Sequence, residues 1–281
     1  MEVFVVKTRK FEEENYSAVF HNGKTIRIAL DPTKPIKELR YPEFYDVKLT
    51  NHCRGGCPWC YQDSSALERY SPPVGRFVDY FSKMTENQRP FQVAFGGGEP
   101  TDHPEFDSFV ALSDSLGILP NYTTNGLNLN KKLLDLTVEY CGGVAVSTHA
   151  HLPWKIAAHS YIAADVKTNL HIIISDAKSV DDFFDLLEEF EGIYYFVLLP
   201  YMQMGRAKHK YSDFTYLFDR LKDMDCSKIA FGANFYPYLK DKSWLKISLY
   251  EPELLSKYLD LTNMKLYNSS FNLTEVKCTK E

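Results

Sequence analysis

The sequence has 281 residues, 44% of them hydrophobic and 25% charged, which is enough to bury a full core in one large α/β domain or two small ones. The formal net charge of −5 excludes a whole-chain basic field that would recruit nucleic acid, and no apolar run approaches the ~20 residues of a membrane helix. Met1 to Lys10 shows no basic start, apolar middle and small-residue cleavage site, so the expected home is the cytoplasm.

Taken in chain order, residues 1–40 predict a small β extension. Tyr16–Phe20 and Thr25–Leu30 flank His21-Asn22-Gly23-Lys24, and Asn-Gly is a strong hairpin turn signal. From Tyr45 onward strand and helix patterns alternate. Strands are expected at Asp46–Leu49, Gln92–Phe95, Leu119–Thr123, Val144–Ser147, Asn169–Ile174, Tyr194–Leu199 and Lys228–Phe231. Helices are expected at Pro104–Leu116, Lys131–Tyr140, Trp154–Asp165, Ser179–Phe190 and Tyr211–Met224. Continuous apolar runs such as Ile172–Ile174 suit strands covered on both faces, and alternating βα units imply a parallel sheet, open or closed into a barrel. Functional residues should then follow the strands, at their C-terminal ends. In the tail, Leu254, Leu255, Tyr258 and Leu261 are spaced for one face of a helix over Pro252–Leu261, and a late strand is expected at Lys265–Ser270. The chain divides into a β extension (1–40), a core (41–235) and a C-terminal cap (236–281).

Three of the six cysteines fall within eight residues, as Cys53-x3-Cys57-x2-Cys60, directly after the first core strand. Gly55 and Gly56 let that loop curl so that the thiolates converge. In a reducing compartment such a cluster indicates metal binding or catalysis rather than disulfides. Iron–sulfur clusters are held by thiolates, usually four, so three would leave one iron open to a small molecule. The alternatives are a zinc site or three unliganded thiols. Zinc needs a fourth ligand, from Cys141, Cys226, Cys278 or a histidine, and no second Cys-x2-Cys pair exists. Cys278 is expected to be an exposed thiol. Past the second strand, Phe95-Gly96-Gly97-Gly98-Glu99-Pro100 combines exposed backbone with an anion.

Cys-x3-Cys-x-aromatic-Cys with Trp59 at the aromatic position resembles the signature of the radical S-adenosylmethionine superfamily. The resemblance implies a partial (β/α)6 radical SAM barrel, here with an N-terminal β-hairpin extension and a short C-terminal α/β cap. It implies a [4Fe–4S] cluster on Cys53, Cys57 and Cys60 whose open iron binds S-adenosylmethionine. Gly97, Gly98 and Glu99 then correspond to the family's Gly-Gly-Glu motif, and Thr124-Asn125-Gly126 to its Thr-Asn-Gly segment. Ser147, ending the fourth strand, corresponds to a ribose or carboxylate contact. The family usually continues there with Asp, where this chain has Thr148 and His149, so His149 and His151 become substrate-side candidates. Asn169 and His171 share one face of the fifth strand, with His171 a candidate adenosine contact. Leu199-Pro200-Tyr201-Met202-Gln203-Met204-Gly205-Arg206-Ala207 resembles a Pro-x-Gly-Arg-Ala ending, which places the backbone near Met202 at the adenine.

The implied activity is reductive cleavage of S-adenosylmethionine to a 5′-deoxyadenosyl radical that abstracts hydrogen from a small molecule or peptide. A flavodoxin or ferredoxin would be the one-electron donor. Modification of a nucleoside or nucleotide is the alternative reaction, and a non-catalytic zinc or iron–sulfur module the alternative class. The tail lacks the cysteine-rich extension of many peptide-modifying relatives, so no auxiliary cluster is expected.

Overall fold

The computed structural model describes residues 6–208, 211–245 and 251–276. Three strands open the chain: β1 (Lys7–Phe11), β2 (Tyr16–His21) and β3 (Lys24–Ala29) form an antiparallel sheet in that order. The hairpin is where Asn-Gly predicts it, with Asn22 and Gly23 both at positive φ, and β1 adds a third strand beyond the expected pair. This sheet has its own small core, in which Phe20 stacks on Phe91 at 5.1 Å and Arg9 lies 4.3 Å over the same ring. Tyr16 donates to Glu43 Oε2 at 2.6 Å and Arg27 forks onto Glu43 Oε1.

The core then runs β4 (Phe44–Thr50), α1 (Gly75–Phe81), β5 (Gln92–Gly97), α2 (Phe106–Ser115), β6 (Leu119–Thr124), α3 (Lys131–Tyr140), β7 (Gly143–Ser147), α4 (Trp154–Ala163), β8 (Thr168–Ile174), α5 (Ala177–Glu189), β9 (Tyr195–Pro200), α6 (Thr215–Leu221) and β10 (Ile229–Phe231). Each strand pairs in parallel with its predecessor, so the sheet winds in one direction with its helices outside, as a partial barrel. The expected strands and helices are present, with ends shifted by a few residues; α1 was not anticipated. Helix α5 starts two residues earlier than expected because Asp176, not Ser179, is its N-cap, and the two form a capping box.

The tail differs from expectation in one element. Only α8 (Pro252–Leu255), after the short α7 (Tyr236–Leu239), is helical. Ser256–Asp260 is a strand, β11, lying parallel to β4 on its free side. β12 (Lys265–Ser269) and β13 (Asn272–Glu275) follow antiparallel, giving a ten-stranded sheet of order β10-β9-β8-β7-β6-β5-β4-β11-β12-β13. The helical spacing passed over Leu259, which with Leu261 repeats at period two. Leu259 and Leu261 point to the core, both fully buried, and the open backbone edge of β4 decides between the two.

Alternation along the strands sorts the interior. Tyr45, Val47, Leu49, Val93, Phe95, Val144, Val146, Leu170 and Ile172 face the helices and are buried with Phe77, Phe81, Phe109 and Phe183. The opposite faces of the central strands carry small residues, Ala94, Gly96, Gly143 and Ala145, which line a cavity of about 600 Å³. The apolar runs are therefore covered by helices on one face only, and small side chains leave the other face hollow. The Asn22–Gly23 turn closes the floor of the cavity, where Lys167 Nζ donates to the Asn22 carbonyl (2.9 Å) and Oδ1 (2.6 Å). No helix among the described residues is long and apolar enough to cross a membrane.

Candidate active site

At the C-terminal end of β4 the chain leaves the sheet and forms the loop that carries Cys53, Cys57 and Cys60. All three thiols are half-buried and line the cavity. Two turns of backbone define the base of this loop. The N–H of Gly98 donates to Thr50 O (2.7 Å) and that of Glu99 to His52 O (2.9 Å). A Cβ on Gly98 would collide with the His52 carbonyl, and one on Gly97 (φ +107°) with Thr50 O and Lys48. The glycine run thus serves first to seat the second strand's loop against the cysteine loop. Gly96, with no atom within 4 Å of its would-be Cβ, leaves backbone open to the cavity.

Glu99 is buried and ties three elements together. Its Oε1 accepts from the Thr101 hydroxyl (2.6 Å), the Thr101 amide (3.3 Å) and the Thr124 hydroxyl (2.9 Å), and its Oε2 from the Asn125 amide (2.7 Å). Burial raises its pKa and these donors pull it down. Asn125 continues the chain of contacts by donating its Nδ2 toward Cys53 Sγ at 3.8 Å.

The far side of the loop is held from β9. Gly205 (φ +56°) lies against the Cys60 and Tyr61 carbonyls so closely that a Cβ would strike both. The Arg206 amide donates to Cys60 O (3.0 Å), and its guanidinium donates to Cys57 O (3.1 Å), Ser64 O (2.7 Å) and Asp63 Oδ1 (2.9 Å). Met202, in the same segment, is half-buried and is not part of the cavity lining. On the outer rim Arg54 pairs with Asp102 (2.8 Å), and Asn128 donates to the same carboxylate (2.8 Å).

Trp59 and the histidines form a third group. The Trp59 ring meets His149 and His151 edge-on, each at 5.7 Å, and its buried Nε1 has no partner. His151 Nε2 donates to Gly55 O at 2.8 Å and lies 3.7 Å from Cys57 Sγ. His151 therefore contacts the cysteine loop itself, while His149 faces the cavity. Burial, with His151 adding repulsion, lowers His149 to about 4. Burial and then His149 lower His171 to about 4. Both are neutral rings at physiological pH. Ser147 is in register with His171 across β7 and β8, and both line the cavity.

Burial, and secondarily the neighbouring thiols, pushes Cys57 up to about 12; burial also raises Cys53. Three thiolates this close would need compensating positive charge. Among the described residues no three His, Cys, Asp or Glu side chains gather tightly enough for a single metal ion. The donor set is three soft sulfurs spread along one wall of a cavity, which fits an iron–sulfur cluster several ångströms across.

The structure brings Cys53, Cys57, Cys60, Trp59, Gly97, Gly98, Glu99, Asn125, Ser147, His149 and His171 to one cavity. Sequence reasoning did not single out Arg206, Asp46 or Asn234. Asp46 carried a signal, since Asp is depleted in strands. Cys278 lies outside the described residues, and Cys226 packs against the core with its thiol donating to the Leu221 and Met224 carbonyls.

Comparison with known proteins matches residues 47–153 to the Radical SAM superfamily model. No curated protein matches the chain in sequence. Among solved structures, SuiB of Streptococcus suis bound to S-adenosylmethionine aligns with TM-score 0.69 at 12% identity, over 100% of this chain and 86% of that one. SuiB bound to the precursor peptide SuiA aligns with TM-score 0.64 at 17% identity, over 82% of this chain and 60% of that one, less than two thirds of its length. Native anSMEcpe with bound S-adenosylmethionine aligns with TM-score 0.61 at 16% identity, over 82% and 75%. At these identities the likeness shows the fold.

Proposed function

We propose that this chain, whose residues 47–153 match the Radical SAM superfamily model, is an enzyme of that superfamily that holds a [4Fe–4S] cluster on Cys53, Cys57 and Cys60 and acts on a small molecule or peptide inside the barrel. The observation that carries this is the convergence of three thiols, the Gly96 backbone and Ser147 on one cavity of about 600 Å³, a size suited to a cofactor and a small reacting group. Bound there, cluster and S-adenosylmethionine supply one-electron cleavage to methionine and a 5′-deoxyadenosyl radical that abstracts a substrate hydrogen.

The chain's own residues position and shield. Arg206 and Gly205 fix the second half of the cysteine loop, and Gly97 and Gly98 fix its base. Glu99 Oε2 accepts a single protein donor, which leaves it a lone pair for the ammonium group of S-adenosylmethionine. Ser147, His171 and Asn125 offer polar contacts along the same wall, and Trp59 an apolar face with a free N–H. Met202 contributes through the segment that carries Arg206 rather than through a side-chain contact in the cavity. The half-buried thiols leave the loop reachable by an external one-electron donor such as flavodoxin or ferredoxin in a reducing cytoplasm.

Anaerobic reconstitution should yield about four irons per chain, and Ala at Cys53, Cys57 or Cys60 should abolish the visible absorption. Glu99→Ala and Ser147→Ala should keep the absorption and weaken S-adenosylmethionine binding, read by electron paramagnetic resonance of the reduced cluster. Stoichiometric zinc after anaerobic purification would overturn the assignment.

A further inference from the structure

Below the cysteine loop, the inner wall of the barrel carries a carboxylate, Asp46, that no described residue pairs with. Asp46 sits near the middle of β4, four residues (about 13 Å of strand) below Thr50. It shares the cavity-facing side of the strand with Phe44. By surface area it is the exposed residue of the strand, and that surface opens on the cavity. Among the described residues it makes no hydrogen bond and no ion pair. The nearest cation along the strand, Lys48, points its ammonium to Asp260 instead, at 3.6 Å.

The surroundings are aromatic. Tyr258 of β11 is in register with Asp46, and the charge of Asp46 reaches the phenols of both Tyr258 and Tyr61. Tyr61 stacks on Phe271 at 4.4 Å, and Gln62 donates to both phenol oxygens at 3.1 Å. These side chains have spent their polar atoms on one another and offer Asp46 nothing. Elsewhere in the cavity lining, on β8, the Oδ1 of Asn169 is buried without a hydrogen-bond partner among the described residues, and so is the Nδ2 of Asn234.

Without a counter-ion this carboxylate is solvated from the cavity side alone, a partial penalty in the empty protein. Burial alone pushes Asp46 up to about 7, the condition of an acid that lacks its counter-ion. A cation seated beside it would remove that penalty, and aromatic neighbours add favourable cation–π attraction.

We propose that Asp46 is a substrate-binding residue and that the barrel interior takes a substrate bearing a protonated amine or guanidinium group. The proposal rests on the radical SAM reading of the same cavity and names the chemical class that reading leaves open. The cation would lie on the strand that leads directly into the cysteine loop, and on the wall that Tyr61 shares with that loop. Anchoring one end of the substrate there holds the remainder toward the rim.

The test uses cluster-loaded protein with S-adenosylmethionine present, and calorimetry with four probes. Agmatine is set against its uncharged analogue N-butylurea, and N-acetyl-Gly-Lys-Gly-amide against the same tripeptide with norleucine. At least one cation should bind at least ten-fold more tightly than its neutral counterpart. Binding of the lysyl tripeptide identifies a peptide side chain, and binding of agmatine alone a small free amine. Asp46→Asn and Asp46→Ala should each abolish the preference while cluster absorption and S-adenosylmethionine affinity stay in place. Equal binding of cation and neutral probe by the wild type overturns the proposal, as does a preference that survives in both variants. A wild type without iron–sulfur absorption would instead overturn the radical reading, and the calorimetric preference would still report on Asp46.

Discussion

At the rim of the barrel, Glu99, Asn125 and Arg206 spend their polar atoms on other residues of the chain. On the inner wall below, Asp46 opens on the cavity and the Asn169 Oδ1 is buried, neither with a hydrogen-bond partner among the described residues. The difference separates two kinds of order. The rim is fixed by internal bonds before any ligand arrives, as a site for a resident group requires. The wall keeps its strongest polar atoms uncommitted, which costs stability and is tolerable where a ligand comes and goes.

The largest effect that would sharpen this contrast is expected at Gly98. Gly98→Ala puts a methyl group into the His52 carbonyl, so the loop base must shift, at about 3 kcal/mol. Thermal unfolding should show the loss and iron counting should show an unloaded loop; normal iron content would mean the rim is not rigid. Arg206→Ala comes next. It strips three acceptors of the cysteine loop of a charged donor, at about 2 kcal/mol, and should speed loss of iron to a chelator. Arg206→Lys should not rescue it, because one ammonium cannot span Cys57 O, Ser64 O and Asp63.

The smallest effect tests the wall through pH. Asp46 has an ordinary pKa of 3.8 and a folded value of about 7, so the folded state holds its proton more tightly. The stability it contributes is full below about pH 4 and is lost as pH rises through 7. Asp46→Asn should remove that slope, and because the carboxyl opens on cavity water the gain at pH 8 should be only about 1 kcal/mol. His149 and His171 act in the opposite sense. Their folded values of about 4 lie below the ordinary 6.5, so their stability is present above 6.5 and lost as pH falls toward 4. Urea unfolding from pH 4 to 8 reads both. A slope unchanged in Asp46→Asn would place a hidden partner beside Asp46 and break the contrast.

Much of this was legible in the sequence because it is local. The cysteine spacing, the Asn22-Gly23 turn and the alternation of strands and helices each depend on neighbours in the chain. What was not legible depends on distant ones. Pro252–Leu261 reads as an amphipathic helix until β4 is known to have an unpaired edge. Gly97 and Gly98 line the cavity, but their need to be glycine shows only once Thr50 and His52 are seen on the side a Cβ would take. Arg206 lies 143 residues from Asp63, and no spacing rule connects the two. Asp46 gains meaning only when its strand is rolled so that it faces a hollow.

The pairing of β11 with β4 also sets an order of events. β4 spans residues 44–50 and its outer neighbour spans 256–260, so one flank of the strand that launches the cysteine loop is completed some two hundred residues after it is made. Contacts of such sequence separation slow folding, and during synthesis β4 presents an open ladder of amides and carbonyls to other chains. Chains cut before Ser256 should therefore aggregate rather than accumulate as a smaller barrel. The wall that holds Asp46 would be among the last parts of the molecule to come into being, long after the cysteine loop has been made.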